Sequence, residues 1–215
     1  MLRFAQNDNT RGNKAVAKTK PHPESALKGR EILLGVSGGI AAYKTAHLVS
    51  RLVQAGAGVS VVMTDHATRF VGPLVFQTLT ARPVYTDLFA APEGYQAKHV
   101  ALADRAELVV VAPATANVLG KLAHGIADDL LSTTLLAVDV PVLLAPAMNV
   151  RMWRHPAVRA NVAALRARGV RLVGPEAGRL ACGAKGEGRM AEPEDIFAEI
   201  VAMLGRLPRE RKRKC

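Results

Sequence analysis

Four short segments hold most of the residues whose type and spacing could do chemistry: VSGGIAAYK (36–44), VAPATAN (111–117), LAPAMN (144–149) and RLACGAKGEGRM (179–190). In the first, Ser37, Gly38 and Gly39 fall between an apolar run and a helical pattern. Free backbone N–H groups and the start of a helix there favour a phosphate, and glycines permit close approach. The turn is neither a GxGxxG fingerprint nor a Walker A sequence, and a purely structural turn reads the same way. The Ser37 hydroxyl can donate, whereas Lys44 reads as a solvated helix residue. Thr64 is a second hydroxyl at a strand end, equally suited to capping a helix.

In the second segment, the small residues Ala114 and Ala116 leave room for a flat ring that Thr115 and Asn117 could hydrogen-bond; Thr115 also suits a helix N-cap. The third supplies Asn149, an amide suited to a carboxylate or amide or to a plain turn, beside the soft apolar surface of Met148. The fourth holds Cys182, one of two cysteines in the chain. A thiol kept for packing belongs in an apolar run, yet this one lies among Gly183, Gly186 and Gly188 with Lys185, Glu187 and Arg189. It reads either as a reactive group on a movable loop or as an incidental surface thiol. His99, before the stretch VALADRAEL, is a further candidate for proton transfer, although a lone histidine is more often a surface residue.

Such residues need a scaffold, and the hydrophobic pattern supplies one. EILLGV (31–36), GVSVVMT (58–64), ELVVVAPA (107–114), PVLLAPAMN (141–149, ending in a loop) and VRLVG (170–174) read as buried strands. Helices are expected over 41–56, from about Asp65, near Leu74–Leu79, and over 115–125, 128–138, 155–169 and 193–207. Strands separated by helices form right-handed βαβ units. The expected fold is α/β: a single doubly wound, Rossmann-like or flavodoxin-like parallel sheet with helices on both faces. Ligands in such sheets bind beyond the carboxyl ends of the strands, which is where the first three segments fall.

The net charge of +11 is concentrated at the ends. Residues 1–30 carry a net +5, residues 206–215 another +5, and residues 31–205 are close to neutral with 16 basic and 15 acidic residues. The basicity therefore describes solvated tails better than a nucleic-acid-binding surface. The expected organisation is a basic, disordered tail (1–29), one ligand-binding domain (30–205) with a flap over about 175–192, and a basic tail (206–215). Two cysteines, one of them the terminal Cys215, cannot form a disulfide framework and point to a reducing compartment. No stretch approaches the roughly 18 apolar residues of a membrane span. A cytoplasmic protein without membrane or nucleic-acid partners follows as the expectation, and no metal site is assigned.

The ordered segments VSGGIAAYK, KHVALA, APATANVLGKLAHGIADDLLSTT, LAPAMNVRMW and LACGAKGEGRM resemble the homo-oligomeric flavin-containing cysteine decarboxylases over roughly residues 30–205. Within that family they are most similar to the branch acting on 4'-phosphopantothenoylcysteine, which occurs in bacteria as the N-terminal domain of a bifunctional coenzyme A biosynthesis protein. The resemblance implies FMN as cofactor. Its phosphate would lie on Ser37, Gly38 and Gly39 near Thr64, and its ring by Ala114, Thr115, Ala116, Asn117 and the Ser132–Thr134 stretch, with Ser132 and Thr133 as contacts. It implies His99 as the active-site histidine, Asn149, with Met148, on the substrate carboxylate, and Cys182 as proton donor. Lys185 or Arg189 would meet the substrate phosphate. The implied reaction is carboxy-lyase chemistry: oxidation at the thiol-bearing carbon, loss of CO2 to an enethiol, and reduction to 4'-phosphopantetheine. A homotrimer or a dodecamer of trimers with the flavin at a subunit interface is implied, with a phosphopantothenoylcysteine synthetase domain or protein as partner. Two alternatives stay open: a peptidyl-cysteine oxidative decarboxylase, which would not need Cys182, and a non-enzymatic flavin-binding regulatory subunit, which would need neither His99 nor Cys182. A flavin prenyltransferase fits less well.

Overall fold

The computed structural model describes residues 26–90, 96–179, 183 and 185–208. Its strands are β1 (Glu31–Val36), β2 (Gly58–Met63), β3 (Val84–Tyr85), β4 (Leu108–Ala114), β5 (Val142–Pro146), β6 (Arg171–Leu172), β7 (Glu176–Arg179) and β8 (Lys185–Arg189). The helices are α1 (Ala42–Gln54), α2 (Asp65–Thr68), α3 (Pro73–Thr80), α4 (Lys98–Arg105), α5 (Ala116–His124), α6 (Leu130–Ala137), α7 (Val150–Arg154), α8 (Pro156–Ala167) and α9 (Pro193–Arg206).

Six parallel strands run in the order β3-β2-β1-β4-β5-β6. Of the two doubly wound orders this is the Rossmann one, with the reversal between β1 and β4. The apolar runs are continuous because alternate residues of each strand serve two buried faces. Ile32, Leu34 and Val36 join Val59, Val61, Val110 and Ala145 under α1, α3 and α9. Leu33, Val62, Val109, Val111 and Leu144 face α4, α5, α6 and α8. Gly35 lets α6 approach, since a Cβ there would lie 2.5 Å from Leu131 Cδ1.

The core reaches slightly beyond the expected boundaries of 30 and 205. Leu27 is fully buried, and Arg30 donates to the carbonyls of Leu204, Leu207 and Pro208 while pairing with Glu107. Leu204 O already accepts the Leu207 N–H, while the Leu207 and Pro208 carbonyls lie past the last turn of α9, so the buried guanidinium braces the helix end with its charge balanced by Glu107. Among the described residues no helix is long and apolar enough to cross a membrane.

Within the expected flap, β7 (Glu176–Arg179) pairs antiparallel with β8 (Lys185–Arg189) as a ribbon. Gly186 and Gly188 of this ribbon are packing positions. A Cβ on Gly186 would press on Val150 at 3.1 Å, and one on Gly188 would meet Met148 O at 2.3 Å, both at positive φ. Met148 N–H also donates to Gly188 O at 2.9 Å, tying the ribbon to the end of β5. Cys182 and Cys215 lie outside the described residues.

Candidate active site

A pocket of about 900 Å³ opens at the carboxyl ends of β1, β2, β4 and β5, beside the strand-order reversal. Three segments far apart in sequence line it: Ser37–Lys44, Thr115–Val118 and Ala147–Asn149, joined by Thr64, His66, Met152 and Gly188–Met190. Among the described residues no aspartate or glutamate lines it, whereas Lys44 and Arg189 do.

The turn after β1 is built for close packing. A Cβ on Gly38 would fall 2.4 Å from His66 Cβ and 2.9 Å from its carbonyl carbon, so only glycine lets α2 sit against the turn. At Gly39 a Cβ would meet nothing closer than Thr115 Cγ2 at 3.6 Å. Helix α1 follows its N-cap Ala41 without a side-chain cap; the Ala42 and Lys44 N–H groups already donate to Gly39 O and Ala41 O, so what the helix start offers an anion from the pocket is chiefly the positive end of its dipole.

Ser37 does a different job from the one expected. Its buried hydroxyl donates to Pro113 O at 2.6 Å and accepts the Thr115 N–H at 3.1 Å. A hydroxyl has one proton, so Ser37 stitches β1 to the end of β4 rather than donating into the pocket. Thr115 stands at the N-cap of α5 without capping it; its hydroxyl lies 3.2 Å from Ser37 Oγ. Thr64 lines the pocket and also caps α2 by accepting the Ala67 N–H at 3.2 Å.

Ala116 and Asn117 line the pocket, whereas Ala114 is the buried last residue of β4 and contributes its carbonyl to Ala147 N–H. Met148 and Asn149 line it as well. Asn149 Oδ1 accepts the Arg151 N–H at 2.8 Å and thereby caps α7, which fixes the Nδ2 amide as the donor end of the side chain.

Several expected residues are not brought in. Ser132 completes a capping box with Asp129 at the start of α6, and neither it nor Thr133 lines the pocket; Thr133 Oγ1 is buried without a hydrogen-bond partner. His99, in the first turn of α4, and Lys185, exposed at the start of β8, lie outside it too. Arg189 lines the pocket already paired with Glu176 at 2.6 Å and Glu192 at 3.3 Å.

Lys44 is not a solvated helix residue: its ammonium reaches Glu192 at 2.8 Å and its side chain is only 15% exposed. Bonding to Lys44 holds the Glu192 carboxyl below its ordinary range. Sequence reading also missed Ile40, Tyr43, His66, Met152 and Met190 as lining residues. Ile40 and Tyr43 carry a signal in retrospect, because both are large apolar residues beside the turn on the side of α1 away from its buried stripe.

The comparisons agree with this geometry. The family model described as Flavoprotein matches residues 20–205. The coenzyme A biosynthesis bifunctional protein CoaBC of Bacillus subtilis (strain 168) is 56% identical over 170 residues, covering 79% of this chain and 42% of that protein. The chain thus spans about two fifths of such relatives. Among solved structures, the FMN-dependent cysteine decarboxylase SpaF superposes with a TM-score of 0.72 at 34% identity, over 84% of this chain and 99% of that one. A cysteine-to-serine variant of PPC decarboxylase complexed with pantothenoylaminoethenethiol gives 0.73 at 32% identity, over 80% and 97%. With the pocket at the sheet reversal and a family match across the whole described domain, the chain belongs to the Flavoprotein family.

Proposed function

We propose that the chain is an FMN-dependent decarboxylase of 4'-phosphopantothenoylcysteine, forming 4'-phosphopantetheine for coenzyme A biosynthesis. The observation that carries this is the convergence of the SGG turn, the TAN segment and the AMN segment on one pocket, read beside the similarity to CoaBC. The pocket fits the cofactor. A helix start without a side-chain cap and a glycine turn suit its phosphate, no carboxylate among the described residues stands in the wall to repel it, and Ala116, Met148 and Met152 offer an apolar bed for the ring.

Losing CO2 from a cysteine carboxylate leaves an electron pair on carbon. FMN, when bound, supplies reversible two-electron acceptance near that carbon. The chain's own groups hold and protonate. The Gly38–Gly39 turn and the positive end of the α1 dipole hold the phosphate, and the hydroxyl of Ser37 keeps that turn in register with β4. Asn149, its Oδ1 held by the α7 cap, is the residue placed on the substrate carboxylate. His99 accepts or orients the reacting proton, a task for which an imidazole is suited because it can both donate and accept. Cys182 delivers a proton to carbon in the reducing half of the reaction.

We assign the complete site to a homo-oligomer, a trimer or a dodecamer of trimers. His99 lies outside its own chain's pocket, while Ile40, Tyr43 and Met152 expose large apolar surface at the lip, 60%, 61% and 47% respectively; a second copy supplying the histidine would cover them. A phosphopantothenoylcysteine synthetase, fused or separate, is the partner that feeds it.

The test is to look for a flavin spectrum in the purified protein and to assay CO2 and 4'-phosphopantetheine. Cys182→Ser is expected to keep FMN and release CO2 while accumulating the unsaturated thiol; His99→Asn is expected to keep FMN and lose turnover. A protein that neither binds FMN nor releases CO2 overturns the assignment, and full reduced product from Cys182→Ser removes that cysteine's role. A peptide ending in cysteine, offered in parallel, separates this reading from peptidyl-cysteine decarboxylation.

A further inference from the structure

The pocket's two lining cations share one carboxylate that does not line it. Glu192 holds Lys44 Nζ with both oxygens, at 2.9 and 2.8 Å, and reaches Arg189 Nη1 with Oε1 at 3.3 Å. Its backbone N–H donates to Glu176 Oε1 at 3.3 Å, and Glu176 Oε2 takes the other side of Arg189 at 2.6 Å. The chain Glu176–Arg189–Glu192–Lys44 thus links the ribbon to the first turns of α1.

Glu192 occupies the N-cap of the 14-residue α9, yet its side chain makes no cap hydrogen bond. The local role open to an N-cap side chain is not taken up. Lys44 reaches the pocket on a four-carbon stem from α1 and Arg189 on a long stem from β8, and neither stem fixes its own charged head. One carboxylate touching both sets the distance between them.

We propose that Glu192 is a positioning residue: without lining the pocket, it fixes Lys44 and Arg189 as a two-cation edge that receives an anionic group of the substrate. The inference rests on the decarboxylase reading above. On 4'-phosphopantothenoylcysteine that group is either the carboxylate or the phosphate monoester, both of which charged donors bind strongly.

Positioning and simple charge balance predict opposite signs. A Glu192→Gln substitution makes the surroundings of the pocket one unit more positive. If Glu192 only balanced charge, the anionic substrate would bind more tightly and KM would fall. If it positions, the two heads separate and KM rises, by about tenfold on the scale of a charge-assisted contact. Glu192→Asp keeps the charge and retracts it by one methylene, so positioning predicts a smaller rise and charge balance none. In a Lys44→Met background the further effect of Glu192→Gln is expected to shrink below about twofold, because residues in one network are not additive; a purely structural role at the start of α9 would leave it undiminished.

FMN content and the melting temperature of each variant establish that it is folded, and Glu192→Asp carries the test if the glutamine form is not. Repeating the measurements with unphosphorylated pantothenoylcysteine identifies the anion. Loss of the Glu192 effect assigns the phosphate and persistence assigns the carboxylate, and both support the proposal. An unchanged or lowered KM in folded Glu192→Gln and Glu192→Asp overturns it. A wild-type protein without FMN or turnover would instead overturn the underlying reading.

Discussion

At the residue scale, the two glycines after β1 separate what the fold requires from what a ligand requires. Gly38 is forced by protein atoms, since an added Cβ would overlap His66 at 2.4 Å. Gly39 is not, with its nearest such contact at 3.6 Å. Gly38→Ala is therefore expected to destabilise the protein by about 1–3 kcal/mol through overpacking, measured as a lower urea midpoint of the apoprotein. Gly39→Ala should leave that midpoint unchanged and still weaken FMN binding about tenfold or more, because the added methyl narrows the approach of a phosphate to the turn. Normal FMN affinity in Gly39→Ala would show that the phosphate does not lie there. The sequence points to both glycines equally, as SGG between a strand and a helix. What divides them is the position of His66, a tertiary fact that local pattern does not carry. Ser37 shows the same limit: its place in the turn was legible, but the partner taking its proton, Pro113 O, is 76 residues away.

At the scale of elements, the long ones were legible because their burial is periodic or continuous, as in EILLGV and in the Leu48–Leu52 stripe of α1. The ribbon was not. EAGR and KGEGR contain no apolar alternation; they pair through backbone and lie on Met148 and Val150 through glycine, so they read as loop. Helix α7 was hidden for a related reason, since five residues following a plausible turn asparagine carry too little period to register. Helix α6, whose position was expected, starts at a capping box on Asp129, and its acid sensitivity can be argued. Burial raises the Asp129 carboxyl, but bonds from Lys121 and from the Ser132 N–H and hydroxyl outweigh it, and the folded value lies below the ordinary one. A depressed carboxyl contributes stability above its unfolded pKa of about 4 and loses it as pH falls through the lower folded value. An asparagine would still cap the helix, so Asp129→Asn is accordingly expected to lower stability at neutral pH by only about 0.5 kcal/mol, the usual worth of a partly exposed ion pair. The deficit should shrink as pH falls below the ordinary carboxylate value of about 4, as followed by urea titrations from neutral pH into acid. A deficit that persists unchanged into acid would assign the effect to packing of the side chain rather than to its charge.

At the scale of the whole molecule, the near-neutral balance of residues 31–205 conceals an uneven distribution. Residues 150–172, covering α7, α8 and β6, contain six arginines and no acidic residue. Arg171 pairs with Glu199, whereas Arg151, Arg154, Arg159, Arg166 and Arg168 have no ion pair among the described residues. This face meets the pocket mouth through Asn149 and Met152. Charge spread over a surface acts on encounter more than on the bound state, and clefts bordered by one sign of charge raise the arrival rate of opposite ions. A substrate carrying a phosphate and a carboxylate should therefore show kcat/KM falling as salt is added, with most of the decline below about 0.1 M, where the screening length exceeds about 10 Å. Arg154, exposed and without an ion pair among the described residues, is a clean probe. Arg154→Glu should reduce kcat/KM about threefold at low ionic strength, leave kcat alone, and approach the parent as salt rises. The unphosphorylated substrate should show a shallower salt dependence in both proteins. A reduction that survives high salt would mean that the arginine touches bound substrate, and equal salt slopes for the two substrates would mean that the phosphate is not the group attracted by this face.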